Sequence, residues 1–361
     1  MYQPVRMGNK SRNCCSKCLL GTFLYLFVLF FLLFIIVFVI IPIVFKYSIG
    51  IQKGIVFPTW AVSPKNYSSF SDFEEFGIKG VKNLYVNLEE PNNVTLGVWQ
   101  ILPSEILSDL LENDDYNYDG ILTNKNYSIL LYMHGNGGDR TTAVGLYEVL
   151  RKTFHIFAVD YRGYGDSSKA EMTETGIVGD IVNLYKWLKD RSPSSIYIWG
   201  HSLGTGVATH VISNLNNENI RTTGLILEGP FTSVTDVMRT HPILQVYSYL
   251  PWFEATVIDP MIDNDLNFDS KKYILNVDCP IMILHAKDDD IIPYNFATEL
   301  YNIALSNRNT TYQGNVTYHL FESMGYGHMF LYKAPELPRL VGDFGKECEQ
   351  FNQRNIKDTK Q

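Results

Sequence analysis

Residues 196–210 read IYIWGHSLGTGVATH, and their local structure decides the architecture of the chain. An apolar run ends in Gly200. Ser202 follows, with Gly200 two positions before it and Gly204 two positions after, and then small residues suited to a tightly packed helix. One reading is punctuation, with a serine capping a helix after a strand. The other is a sharp strand-to-helix turn that holds the serine in a strained backbone conformation. Glycines at −2 and +2 are then required, because side chains there would collide with the neighbouring strand and helix. A nucleophilic serine also needs a base, an acid and oxyanion donors from elsewhere in the chain.

Outward from this turn the pattern is regular. SILLYMH (128–134), HIFAVDY (155–161), IYIWG (196–200), TGLILEG (223–229), PIMILHAK (280–287) and VTYHLFES (316–323) read as buried strands. Helices are expected around 141–152, over 173–190, 203–214 and 294–305, and at the end over 334–350. In the second, Ile177, Ile181, Leu184 and Leu188 fall at helical spacing. Apolar strands alternating with helices predict an α/β fold, a mostly parallel sheet covered on both faces. Two further strands are expected within VKNLYVNLEEPNNVTLGVWQIL (81–102), around a Pro-Asn-Asn turn. Residues 103–127 form an acidic, Asn-rich insertion. Residues 230–275 interrupt the alternation with the aromatic, Pro-bearing run HPILQVYSYLPWFEATVIDPMI, read either as a lid or as a packed surface excursion.

In an open parallel sheet, active groups collect at the carboxyl ends of the strands. Asp288, Asp289 and Asp290 follow the strand at 280–287, and MGYGHMF, with His328, follows the last strand. The order Ser202, Asp289, His328 is that of an α/β-hydrolase. His328 would take the serine proton, and Asp289 would fix the imidazole tautomer, with Asp288 as the fallback acid. Leu203, at the start of the helix after the serine, would give one oxyanion N–H. Asn136, in the turn HGNGG (134–138), would give the other. His134 would shape that turn without moving protons, His201 is the variable position of the serine turn, and His285 sits at a strand end. His241 and His319 rank below His328 as bases. No metal or organic cofactor is required, and no zinc-ligand pattern such as HExxH occurs.

The 361 residues carry a net charge of −8, which argues against a nucleic-acid partner. Residues 19–45, LLGTFLYLFVLFFLLFIIVFVIIPIVF, contain no charge. As a helix they extend about 40 Å against a hydrocarbon core of about 30 Å. The run is longer than a signal-peptide core and lacks small residues at its end, so an uncleaved anchor is expected. Arg6, Lys10, Arg12 and Lys17 precede it and would hold the N-terminus in the cytosol. The sequons at Asn66, Asn93, Asn126, Asn309 and Asn315 all follow the span. The expected organisation is a basic cytosolic tail (1–18), the anchor (19–45), a connector without clear period (46–75), a hydrolase domain (76–350) with the lid insertion, and a polar tail (351–361). Cys14, Cys15 and Cys18 form a juxtamembrane cluster open to palmitoylation. Cys279 is expected as a buried free thiol, although a disulfide with Cys348 is chemically allowed.

MHGNGG, DYRGYGDS, YIWGHSLGTGVAT, LILEGPFTS, HPILQVY, CPIMILHAKDDDIIP and MGYGHMFLYKAPELPRL, with the single preceding anchor, resemble the α/β-hydrolase domain-containing protein 12 family. These are membrane-anchored serine lipases acting on lysophosphatidylserine and monoacylglycerols. The resemblance runs from about 128 to 345 and puts the family's triad on Ser202, Asp289 and His328. It implies a lipid substrate and an endoplasmic-reticulum membrane protein with a luminal active site. Two departures from the family pattern, the insertion at 103–127 and GDR after HGNG, are expected beside the cleft entrance. The same triad would also serve a thioesterase or a serine peptidase. A non-catalytic scaffold would be expected to lose the serine or the histidine, and both are present.

Overall fold

The computed structural model describes residues 10–60, 69–88, 93–107 and 117–358. Eight strands form one sheet: β1 (Val81–Leu88), β2 (Val94–Ile101), β3 (Ser128–Met133), β4 (Phe154–Val159), β5 (Ile196–His201), β6 (Gly224–Glu228), β7 (Ile281–Ala286) and β8 (Val316–Phe321). Their spatial order is β1-β2-β4-β3-β5-β6-β7-β8. β1 and β2 pair antiparallel, β2 meets β4 antiparallel, and every later pairing is parallel. All the expected strands are present. The Pro-Asn-Asn turn falls mostly on 89–92, outside the described residues.

Both sheet faces are covered, and alternate strand residues serve opposite faces. Leu131, Ile198, Leu227 and Ile283 pack with the helices Glu174–Arg191, Leu203–Asn217 and Asn295–Asn307. Tyr132, Trp199, Ile226 and Met282 pack with Val144–Leu150 and the start of Leu337–Asp358. The chain therefore leaves β3 toward one face and β5, its neighbour, toward the other. This opens a crevice at the carboxyl ends of β3 and β5, the place where such sheets bind ligands.

The structure revises four expectations. The connector at 46–75 is not aperiodic, since Ile49–Val56 is a helix. Gln52 is buried there and donates to the carbonyls of Phe45 and Lys46, so the helix is clasped to the chain before it. The closing helix runs to Asp358, taking in most of the polar tail, because no glycine or proline stops it after Gly345. The described parts of the insertion, 103–107 and 117–127, lie at the amino ends of the parallel strands, away from the crevice. Leu122 and Asn124 accept there from Ser192 and Ser194, just before β5; residues 108–116 lie outside the described residues. The GDR turn points inward: Asp139 accepts from the N–H of Thr141 and from the hydroxyls of Thr141 and Thr142. Arg140 is fully buried, paired with Asp160 and Asp166 and stacked 3.8 Å from the Phe70 ring. It ties the turns after β3 and β4 together.

The helix Cys18–Tyr47 is long and apolar enough to cross a membrane and lies almost wholly outside the globular body. It contains a π turn, Ile36–Ile40, just before Pro42. Arg6, Cys14, Cys15 and Asn66 fall where the structure describes no side chain, and Cys18 is exposed. Cys279 and Cys348 are buried free thiols, and burial pushes both thiols up in pKa. The segment between β6 and β7 is helical, with Val234–Thr240, Pro242–Ser248, Asp259–Asp263 and Ser270–Tyr273.

Candidate active site

Ser202 stands at the tip of the turn between β5 and its helix with φ 53° and ψ −120°, a conformation that costs a non-glycine residue energy. The glycines allow it. A methyl group on Gly200 would be driven into the Gly204 carbonyl, and one on Gly204 into the carbonyl of Met133 at the end of β3. The Ser202 N–H donates to the Glu228 carbonyl at the end of β6, 2.9 Å away, so a hydrogen bond to the adjacent strand secures the strained residue. The sharp, strained strand-to-helix turn, not simple helix capping, is the geometry present.

Asp289 follows β7. Its Oδ1 accepts from the N–H groups of Ile291 and Ile292, and its Oδ2 accepts from His328 Nδ1 at 2.7 Å. His285 Nε2 lies 3.2 Å from the same oxygen. Burial would raise the Asp289 pKa, but the hydrogen bonds from His285 and His328 and the Ile292 N–H outweigh it and hold the carboxyl well below its ordinary range. An ionised acceptor at Nδ1 fixes the proton on that nitrogen and leaves His328 Nε2 free as a base. Asp288, the fallback, does different work. Its two oxygens accept from the N–H groups of Gly325 and Gly327 and fix the loop that carries His328.

Two residues with other expected roles also act here. His201 Nε2 bonds the His328 carbonyl at 2.8 Å, and burial, then the nearby His328, push its pKa down to about 3. It is a neutral strut for the loop that carries His328. His285 props the acid rather than merely ending a strand. The signal was present in the sequence, since His201 adjoins Ser202 and His285 stands four residues before Asp289, but nothing in it showed which way either ring faced. Glu228 was not singled out at all. Its carboxyl accepts from Trp199 Nε1 at 2.9 Å, and burial raises its pKa to about 7, against that hydrogen bond.

Ser202, His328 and Glu228 line one cavity of about 280 Å³, together with Gly135, Asn136 and Gly137 of the turn after β3. A methyl group on Gly135 would lie 3.1 Å from Ser202 Cβ, and one on Gly229 3.3 Å from His328 Cε1, so turn, serine and imidazole are in close array. The turn is strung from its carbonyls. Tyr161 donates to that of His134, and Tyr164 to that of Asn136, each at 2.9 Å. His134 Nδ1 lies 2.7 Å from the Gly135 carbonyl. In a trans peptide the N–H points opposite the C=O, so pinning the Gly135 carbonyl aims the Asn136 N–H the other way. Burial lowers the His134 pKa to about 4, in keeping with a shaping role. No cavity-lining residue comes from 230–275. The excursion is packed against the apolar helix instead, where Trp252 Nε1 donates to the Phe38 carbonyl at 2.9 Å.

The α/β hydrolase fold family matches residues 128–261. A lysophosphatidylserine lipase, ABHD12, of Mus musculus is 36% identical over 86% of this chain and 78% of its own length. That of Danio rerio is 34% identical over 84% and 79%. The chain belongs to the ABHD12 family. An esterase of Pyrococcus furiosus has the same fold, with a TM-score of 0.54 at 19% identity over 80% of this chain and 97% of its own. The resemblance drawn from the motifs is thus borne out, as is the α/β-hydrolase fold. The chain is a serine hydrolase.

Proposed function

We propose that this ABHD12-family chain is a membrane-anchored lipase that cleaves the acyl ester of lysophospholipids, lysophosphatidylserine above all, and of monoacylglycerols. Ser202 Oγ attacks the ester carbonyl while His328 Nε2 takes its proton. The oxyanion is held by the N–H groups of Leu203 and Asn136. Collapse breaks the ester bond, and the departing glycerol oxygen takes the proton from His328. Water, deprotonated by the same imidazole, then releases the fatty acid from Ser202. Asp289 stays ionised throughout and stabilises the imidazolium. The observation that carries this reading is the strained Ser202 in one cavity with the Asp289-bound His328. The names of the relatives support the substrate class.

Residues 19–45 would form the span; the basic flank supports a cytosolic N-terminus with the catalytic domain on the luminal side, and the family resemblance supports the endoplasmic reticulum as the membrane. The described sequon residues Asn93, Asn126, Asn309 and Asn315 are all exposed, as glycan acceptors must be.

Fluorophosphonate labelling of membranes holding wild type or Ser202→Ala tests the chemistry, with fatty-acid release from lysophosphatidylserine and monoacylglycerol measured in parallel. Labelling and release that both vanish in the variant are expected. Labelling without release would overturn the substrate class and leave a thioester or peptide to be tried. Absence of labelling in wild type, with another serine hydrolase labelled in the same membranes, would overturn the nucleophile.

A further inference from the structure

Residues 240–253, THPILQVYSYLPWF, contain no Asp, Glu, Lys or Arg. Arg239 and Glu254 bracket them and close on each other, Nε to Oε1 at 3.1 Å and Nη2 to Oε2 at 2.8 Å. Beyond this clasp the helix Pro242–Ser248 and the two residues after it turn Leu244, Tyr247 and Leu250 toward the core. Its other side presents Ile243, Val246 and Tyr249, which are 70%, 56% and 90% exposed. Such a patch is out of place against water.

The segment also touches the apolar helix at a defined height. Pro42 has no N–H to offer the carbonyl of Phe38 four residues earlier, and a bare carbonyl is costly in hydrocarbon. Trp252 donates its indole N–H to that carbonyl, and the Phe38 and Tyr247 rings lie 5.4 Å apart. Phe38 precedes Lys46, the first charge after the run, by eight residues, about 12 Å along a helix. The run from Leu19 to Phe45 is about 10 Å longer than a hydrocarbon core of about 30 Å. If all the excess projects on the catalytic side, Phe38 lies at the hydrocarbon boundary. If none does, it lies about 10 Å inside.

We infer that residues 240–253 are immersed in the leaflet on the catalytic side. Ile243, Val246 and Tyr249 meet lipid acyl chains, and the Arg239–Glu254 pair lies at the headgroup boundary. The occupant of this surface is lipid, continuous with the lipid around the span. The inference rests on the reading of 19–45 as a transmembrane helix.

The test uses the full chain with Cys14, Cys15 and Cys18 replaced by serine; Cys279 and Cys348 are too buried to label. A nitrobenzoxadiazole label is placed at Leu29→Cys in the span, at Val246→Cys, or at Asn302→Cys on the exposed side of a distant helix. Each variant is reconstituted in phosphatidylcholine vesicles with and without acyl-chain bromines, and fluorophosphonate labelling of Ser202 checks that it is folded. Bromolipid should lower the emission at positions 29 and 246 and leave position 302 unchanged. Quenching at 29 without quenching at 246 overturns the inference and leaves the span standing. Quenching at neither overturns the span as well. An unquenched position 246 whose emission shifts with protein-to-lipid ratio shows a second copy on the patch, which also overturns it.

Discussion

At the scale of single residues, the paired acids after β7 divide their work. Asp289 sets the protonation of His328, while Asp288 holds its loop. Asp289→Asn offers the ring a donor where it needs an acceptor. We expect kcat/KM to fall about 10³–10⁴-fold. Asp288→Asn keeps one carbonyl acceptor and should cost roughly tenfold or less. Equal losses in steady-state hydrolysis would contradict this division. Glu228 predicts a pH effect on stability. Its folded pKa is raised, from the ordinary 4.5 to about 7, so the unfolded chain ionises first as pH rises. Its contribution to stability is full below pH 4.5 and is lost as pH climbs through about 7. Glu228→Gln suffers no such loss. The melting temperature of the variant relative to wild type should therefore rise across that window and be level on either side. An identical difference at pH 4 and pH 8 would refute the assignment.

At the scale of elements, the turn after β5 was legible because sterics leave so few options. Only a close strand–helix approach demands glycine on both sides of a serine. Gly204→Ala puts a methyl group against the Met133 carbonyl and should destabilise the fold by about 1–3 kcal/mol or more, with loss of Ser202 labelling. A variant with wild-type urea midpoint and full labelling would show that the helix and β3 have room to part. The strands, and the meeting of Ser202, Asp289 and His328, were readable for a related reason: buried parallel strands are unbroken apolar runs, and the loops at their carboxyl ends converge on the crevice. What escaped was orientation. Arg140 looked like part of an entrance and is instead a buried brace, because its partners Asp160 and Asp166 lie on another turn. The insertion at 103–127 was put beside the cleft because sequence order does not say which end of a sheet a loop serves. The excursion at 230–275 was readable as an interruption, but the contact with Phe38 that places it spans more than two hundred residues.

At the scale of the whole molecule, the chain is laced together at the foot of its apolar helix. Gln52 grips the carbonyls of Phe45 and Lys46 and accepts from Asn264, while Trp252 grips Phe38. The catalytic body is therefore held in a fixed attitude to the helix rather than swinging on a tether. This bears on how the protein is handled at the bench. A shortened chain starting at Ile41 keeps both acceptors of Gln52, yet it strands the Trp252 indole and uncovers Tyr247 beside Ile243, Val246 and Tyr249. Removing the apolar helix would thus not yield a freely soluble enzyme. Such a preparation should elute from a sizing column as oligomers in plain buffer and as a monomer once mild detergent is added. A monodisperse monomer without detergent would mean that this side of the body tolerates water after all.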